Sequence, residues 1–192
     1  MLQFSTNLDY QVLIWIQQNL RGSMATDFWE SMTDMGNAGI FWLAVIVILL
    51  VRKKTRFAGA ASFLALCLDV IITNGILKLL IARPRPFLTN TDITPLIPPP
   101  AGFSFPSGHS VSSFAVAFVL YQLLPKRYGV PAVIIAVLIA LSRLYLGVHY
   151  PSDVLAGMII GLVISKTAIW LTKKFDLSAK IDKIIVHFRL SS

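Results

Sequence analysis

The sequence predicts an all-α fold: a polytopic membrane helix bundle of about five to six spanning helices, with amphipathic helices at the interface. Three observations carry that prediction. Only 14% of the 192 residues are charged and 56% are hydrophobic, against about 25% charge in an ordinary soluble domain. Mean hydropathy is +0.73. The cations gather in short clusters between apolar segments: 52–56 (RKKTR), Lys126-Arg127 and Lys173-Lys174. This is the positive-inside pattern, and it accounts for the formal charge of +8 without a nucleic-acid partner. A single cysteine, Cys67, permits no intramolecular disulfide and makes a thiolate zinc site an unsuitable reading. The amino terminus lacks a basic region ahead of a short apolar core, so no cleavable signal peptide is expected. One domain is expected over 1–192, with interfacial helices over 1–35, a spanning core over 36–172 and an amphipathic cytoplasmic tail over 173–192.

Each element follows from local pattern. In 8–20, Leu8, Val12, Ile16 and Leu20 recur every four residues, the mark of an amphipathic helix too polar to span. Residues 25–34 read as a second short interfacial helix anchored by Trp29. The first span covers roughly 36–51, short for a hydrocarbon core of about 30 Å, so an earlier start is expected. A long helix runs from Phe57 to about Ala82. The proline-rich stretch 83–106 cannot be regular helix or interior strand, and loops of that length are often functional. Spans three to five are expected over about 107–124, 130–147 and 151–171. In the tail, Leu177, Ile181, Ile184, Ile185 and Phe188 share one face, suited to an anionic membrane surface.

Topology has a chemical consequence. With the three cationic clusters cytoplasmic, the end of span two, the proline-rich loop, the start of span three and the 143–153 junction all share the outer face. Three polar stretches meet there: Lys78 with Arg83-Pro84-Arg85-Pro86, then Pro106-Ser107-Gly108-His109, then Ser142-Arg143 with His149 and Asp153. Ionisable side chains within membrane segments are functional candidates by default. Ser107-Gly108 opens a helix, whose free N–H groups and dipole attract anions. Lys78 and the arginines add point and bidentate donors. Pro151 fits the first position of a helix, which brings Asp153 close enough to His149 to fix its tautomer. The inventory describes a phosphate site, where positioning and charge stabilisation dominate, with two histidines to serve as nucleophile and proton donor.

In order and spacing these stretches resemble the tripartite signature of the type-2 phosphatidic acid phosphatase superfamily: Lys, six residues, Arg-Pro; Pro-Ser-Gly-His; Ser-Arg, five residues, His, three residues, Asp. The matching positions cover Lys78 to Asp153. The resemblance implies that His149 attacks phosphorus and forms a phosphohistidine, that Asp153 orients its ring, and that His109 protonates the leaving group. It implies phosphate contacts from Lys78, Arg85, Ser107, Gly108 and Arg143, and no metal or other cofactor. Arg83, in a second Arg-Pro, is a possible sharer of the phosphate, although spacing favours Arg85. The implied substrate is a lipid phosphate or diphosphate, undecaprenyl diphosphate foremost. Phosphatidylglycerophosphate, phosphatidic acid and diacylglycerol diphosphate are the alternatives. The implied setting is a bacterial plasma membrane, multi-pass, with an extracytoplasmic site. Phosphoryl exchange, and an anion-binding or transport protein without turnover, are the competing functions.

Blander readings stand beside these. A lone intramembrane histidine is commonly a packing residue, and Arg143 could snorkel from a helix end. Asn74, four residues before Lys78, is an accessory candidate for positioning the ammonium. Asp69, roughly 13 Å below Lys78 along an ideal helix, reads as an interhelical hydrogen-bonding group. His187 reads as a solvated tail residue.

Overall fold

The computed structural model describes residues 7–181 and contains helices but no strand among them. Helix α1 (Asn7–Asn19) is followed by α2 (Ser23–Gly36) and, after a short turn, by α3 (Ile40–Val51). Helix α4 (Arg56–Asp69) continues through a π-helical segment, Val70–Leu77, into α5 (Lys78–Ile81). The long loop holds one short helix, α6 (Pro86–Thr89), then come α7 (Gly108–Leu123), α8 (Lys126–Tyr145) and α9 (Pro151–Lys174). Helix α6 exists where prolines forbade regular structure because Pro86 occupies its first position, where no intrahelical N–H is lost. Helix α8 begins four residues before the expected span, with Pro131 inside it.

Among the described residues three helical stretches are long and apolar enough to cross a membrane, Lys53–Thr89, Lys126–Tyr145 and Pro151–Lys174. A fourth is possible if α2 and α3, bent by 52° at their junction, form one broken span. Length and composition thus confirm three or four of the expected five to six. The reason is length: α3 has 12 residues and α7 has 16, about 24 Å at 1.5 Å per residue. Helix α7 is the hub of the bundle, packed against α4, α8 and α9. Val111, Ala115, Val116 and Val119 on it are wholly buried.

Helices α7 and α9 pack closely. A Cβ at Gly157 would sit 2.7 Å from Ser110 Cβ, and one at Gly161 would sit 2.8 Å from Phe114 Cβ. This glycine pair, four apart, lets the two backbones meet, as small residues do between membrane helices. On the other side the Trp42 indole N–H donates to Ser113 Oγ at 3.0 Å and ties α3 to α7.

Helix α1 is not the simple interfacial helix its pattern implied. Its polar residues bind protein: Asp9 is 4% exposed, Tyr10 O–H donates to Thr89 Oγ1 at 3.0 Å, and Gln17 Nε2 donates to Asp92 O at 2.8 Å. Helix α2 likewise packs against α8. Of the amphipathic tail, Leu177 and Ile181 line a groove with Leu50, Ala60 and Phe63. Ile184, Ile185, His187, Phe188 and Arg189 lie outside the described residues.

Because α4 leaves the 52–56 cluster, α7 runs into Lys126-Arg127, α8 leaves it and α9 ends at Lys173-Lys174, the cationic clusters share one end of the bundle. The three motif stretches occupy the other.

Candidate active site

His149 lies in the turn between α8 and α9, which begins with Leu146 and Gly147. Gly147 has φ +72, and any side chain there would meet Arg21 Nη2 at 2.9 Å and Thr94 O at 3.2 Å. Glycine is what lets the chain reverse here. Pro151 then starts α9, and Asp153 falls in its first turn, 3.4 Å from His149 Nδ1 through Oδ2. The same oxygen accepts the Tyr150 N–H at 3.0 Å and the Ser104 hydroxyl at 2.5 Å. Its partner Oδ1 accepts Arg83 Nη1 at 2.6 Å. A carboxylate with so many donors is held in one orientation. Burial pushes the His149 imidazole down to about 4, against the pull of Asp153. The tautomer that directs Nδ1–H to Asp153 leaves the Nε2 lone pair as an acceptor.

That lone pair faces Arg85, whose Nη1 is 3.2 Å from Nε2. Arg85 is fixed by main-chain carbonyls, Val148 O at 3.0 Å, Gly102 O at 3.1 Å and Ala101 O at 3.1 Å. The proline-rich loop thus wraps the guanidinium and aims it at the histidine. Arg143, 3% exposed, comes from the last turn of α8 and donates through Nη1 to Thr33 Oγ1. Its Nε is buried without a protein hydrogen-bond partner, an unmet donor that an oxyanion would satisfy.

Ser107 caps α7, accepting from Ser110 Oγ at 3.0 Å; its N–H is used by Asp153 O at 3.3 Å. The N–H groups of Gly108 and His109, the first of α7, have no partner within the helix. Lys78 Nζ lies over this terminus, 3.7 Å from where a Gly108 Cβ would stand, and it feels the charges of Arg85 and Arg143. His109 points to α2 and α3: Nε2 is 3.1 Å from Asn37 Oδ1, and a Cβ on Gly36 would collide with His109 Cδ2 at 2.5 Å.

Beside His109 opens a cavity of about 400 Å³. Its polar wall includes Lys78, Asn74, Gly108 and Asp69, and its apolar wall includes Leu43, Phe63, Leu66 and Val70. Asn74 and Lys78 share this wall, as their spacing predicted. Asp69 does not bridge helices as expected. It is buried with Oδ1 unpartnered, because the α4 face that carries it borders the cavity.

Arg83 stands apart from the other cations. Nη1 holds Asp153 and Nη2 holds Asp9 Oδ2 at 2.8 Å, so its fork is directed at carboxylates. Sequence reasoning missed Asp9, Thr33, Gly36, Asn37 and Ser104. None belongs to a motif, and only the fold brings them near one. No cluster of three or more His, Cys, Asp or Glu side chains able to hold a metal occurs among the described residues. The converging groups are donors, and such a set can bind a tetrahedral oxyanion beside a neutral imidazole.

Fold and site together define a class: helical membrane proteins with cationic donors gathered around a buried histidine. The chain belongs to the PAP2 superfamily, which it matches over residues 58–176. It is 33% identical to an undecaprenyl-diphosphatase of Sulfolobus acidocaldarius over 143 residues, 74% of this chain and 67% of that protein. The crystal structure of Aquifex aeolicus LpxE superposes with a TM-score of 0.78 at 25% identity, covering 88% of this chain and 99% of that one. The transmembrane PAP2-type phosphatidylglycerolphosphate phosphatase of Bacillus subtilis superposes with a TM-score of 0.66 at 32% identity, covering 89% and 87%. The protein is a membrane phosphatase, a phosphate ester hydrolase.

Proposed function

We propose that this phosphatase hydrolyses a lipid phosphate or diphosphate through a phosphohistidine on His149, with undecaprenyl diphosphate as the physiological substrate. The observation that carries the chemistry is His149 Nε2 within 3.2 Å of Arg85 while Nδ1 is turned to Asp153. The Nε2 lone pair forms the N–P bond as the P–O bond to the leaving group breaks. The departing oxygen keeps the electron pair and takes a proton from His109. Lys78, Arg85, Arg143, the Ser107 hydroxyl and the Gly108 N–H hold the phosphate oxygens as charge builds. Water then attacks phosphorus, losing its proton to His109, and the P–N bond breaks to restore neutral His149. No metal takes part.

The lipid tail has a place beside this centre in the cavity walled by Leu43, Phe63, Leu66 and Val70. The cationic clusters at the opposite end of the bundle support an extracytoplasmic site, where a polyprenyl diphosphate carrier is released after use. The relationship to an undecaprenyl-diphosphatase supports the same choice, and the Bacillus subtilis likeness makes phosphatidylglycerophosphate the first competitor.

The test is phosphate release by purified protein in detergent with EDTA present, comparing undecaprenyl diphosphate, phosphatidylglycerophosphate and phosphatidic acid at matched surface concentration. Turnover with EDTA that disappears in His149→Ala is the expected result, with kcat/KM highest for undecaprenyl diphosphate. Equal release by wild type and His149→Ala would remove His149 as nucleophile. Phosphate passed to an acceptor lipid without net release would favour exchange.

A further inference from the structure

We propose that Asp9 is a positioning residue for the reaction, acting through Arg83 on the Asp153–His149 pair. Helix α1 lies outside the segment that matches the family, yet on this reading it belongs to the catalytic apparatus. The inference rests on the phosphohistidine chemistry proposed above.

A chain of contacts carries it. Asp9 Oδ2 accepts Arg83 Nη2 at 2.8 Å and the Ser152 hydroxyl at 2.6 Å, while Oδ1 accepts the Ser152 N–H at 3.1 Å. Arg83 Nη1 donates to Ser152 Oγ at 2.8 Å and to Asp153 Oδ1 at 2.6 Å. The guanidinium carbon lies 3.7 Å from the centroid of the Tyr150 ring. Asp9, Arg83 and Asp153 are 4%, 5% and 0% exposed, so water screens these charges little. Asp9 therefore fixes both the guanidinium that grips Asp153 and the first turn of α9 that carries it.

The charges explain why such a brace needs a second carboxylate. When Nε2 bonds to phosphorus, the ring retains its Nδ1 proton and becomes cationic, and Asp153 must stabilise that charge. Arg83 alone would oppose it, since a guanidinium bonded to Asp153 offsets the carboxylate's field at the ring. Asp9 offsets Arg83, so that the guanidinium subtracts less from the field of Asp153 at the imidazole. Removing only one member of a buried ion network leaves an uncompensated charge, which costs more than removing a matched pair.

The test uses the full chain in detergent micelles as wild type, Asp9→Asn, Asp9→Glu, Arg83→Gln and the double variant Asp9→Asn/Arg83→Gln. Each is assayed for kcat and KM on the lipid that the wild type turns over best, and for melting temperature. With ¹⁵N-histidine labelling, the Nδ1–H resonance of His149 is read in the absence of substrate. Asp9→Asn should lower kcat by about 10- to 100-fold with KM within about twofold, and should move the Nδ1–H resonance upfield. Asp9→Glu should lie between wild type and Asp9→Asn. The double variant should recover part of the kcat lost in Asp9→Asn and return the resonance toward its wild-type position. Wild-type kcat and resonance in Asp9→Asn would overturn the proposal. So would a double variant slower than either single one, with losses that follow melting temperature alone. A wild type that hydrolyses no lipid would sink the proposed function, and the resonance would then decide the inference alone.

Discussion

The two histidines of the site sit in unlike surroundings. His149 is 2% exposed, pinned by Asp153 on one side and faced by Arg85 on the other, and both partners are themselves fixed by further bonds. His109 is half-buried, lies with Nε2 3.1 Å from Asn37 Oδ1, and borders the cavity. The first arrangement suits a group that must present one lone pair along one line. The second leaves open space beside the imidazole, into which leaving groups of different size would fit. Precision comes from α8, α9 and the proline-rich loop, whereas adaptability comes from the bend between α2 and α3.

That contrast can be broken most sharply at the nucleophile. His149→Ala should lower kcat by at least about 10⁴-fold and abolish any trapped phosphoenzyme on rapid acid quench. His109→Ala should cost about 10²- to 10³-fold on a lipid phosphate, but much less on p-nitrophenyl phosphate, whose leaving group needs no proton. A similar loss on both substrates would mean that the histidines do not divide the work this way.

Gly36→Ala probes the adaptable half without touching a motif. The new methyl would meet His109 Cδ2 at 2.5 Å and Ile139 Cγ2 at 2.8 Å, so stability should fall by about 1–3 kcal/mol. Activity should drop about tenfold through displacement of His109, and a structure of the variant with His109 unmoved would contradict the assignment. Thr33→Val should cost less activity. It leaves Arg143 Nη1 without its acceptor, which costs about 1–3 kcal/mol, and should raise KM more than it lowers kcat.

The smallest effect concerns pH. His149 is held near 4 against an unfolded value of about 6.5, so the unfolded chain binds the extra proton between those values. Its contribution to stability is complete above pH 6.5 and is lost as pH falls toward 4. The melting temperature in detergent should therefore decline over that window, and His149→Gln should flatten the decline. Equal slopes in the two proteins would mean that His149 is not buried in its neutral form.

The adaptable half was the harder one to read from sequence. Lys78, Arg85, Ser107, His109, Arg143, His149 and Asp153 carry their meaning in spacing, because helix ends and chain turns force residues at those intervals toward one end of a bundle. The positions of Pro151 and Asp153 even foretold the histidine–carboxylate contact. Thr33, Gly36 and Asn37 carry no such interval. They lie in and just after a stretch that read as a short interfacial helix, and only its packing against α8 and α7 brings them to Arg143 and His109. Asp9 was hidden the same way, since polarity in α1 looked like solvation and is pairing. The all-α membrane bundle was legible, whereas length and composition alone confirm three or four of the spans, and α7, short as it is, lies at the centre of the packing.

The bend between α2 and α3 has a consequence for recombining related genes. Joining α1–α3 of one relative to α4–α9 of another would keep every signature residue, and by motif the hybrid would look complete. It would nonetheless mate foreign residues at 9, 33, 36 and 37 with native ones at 83, 143 and 109. Such hybrids should tolerate a crossover near 52–56 only when these pairings are inherited together, so the unit of exchange is a set of contacts and not a stretch of chain.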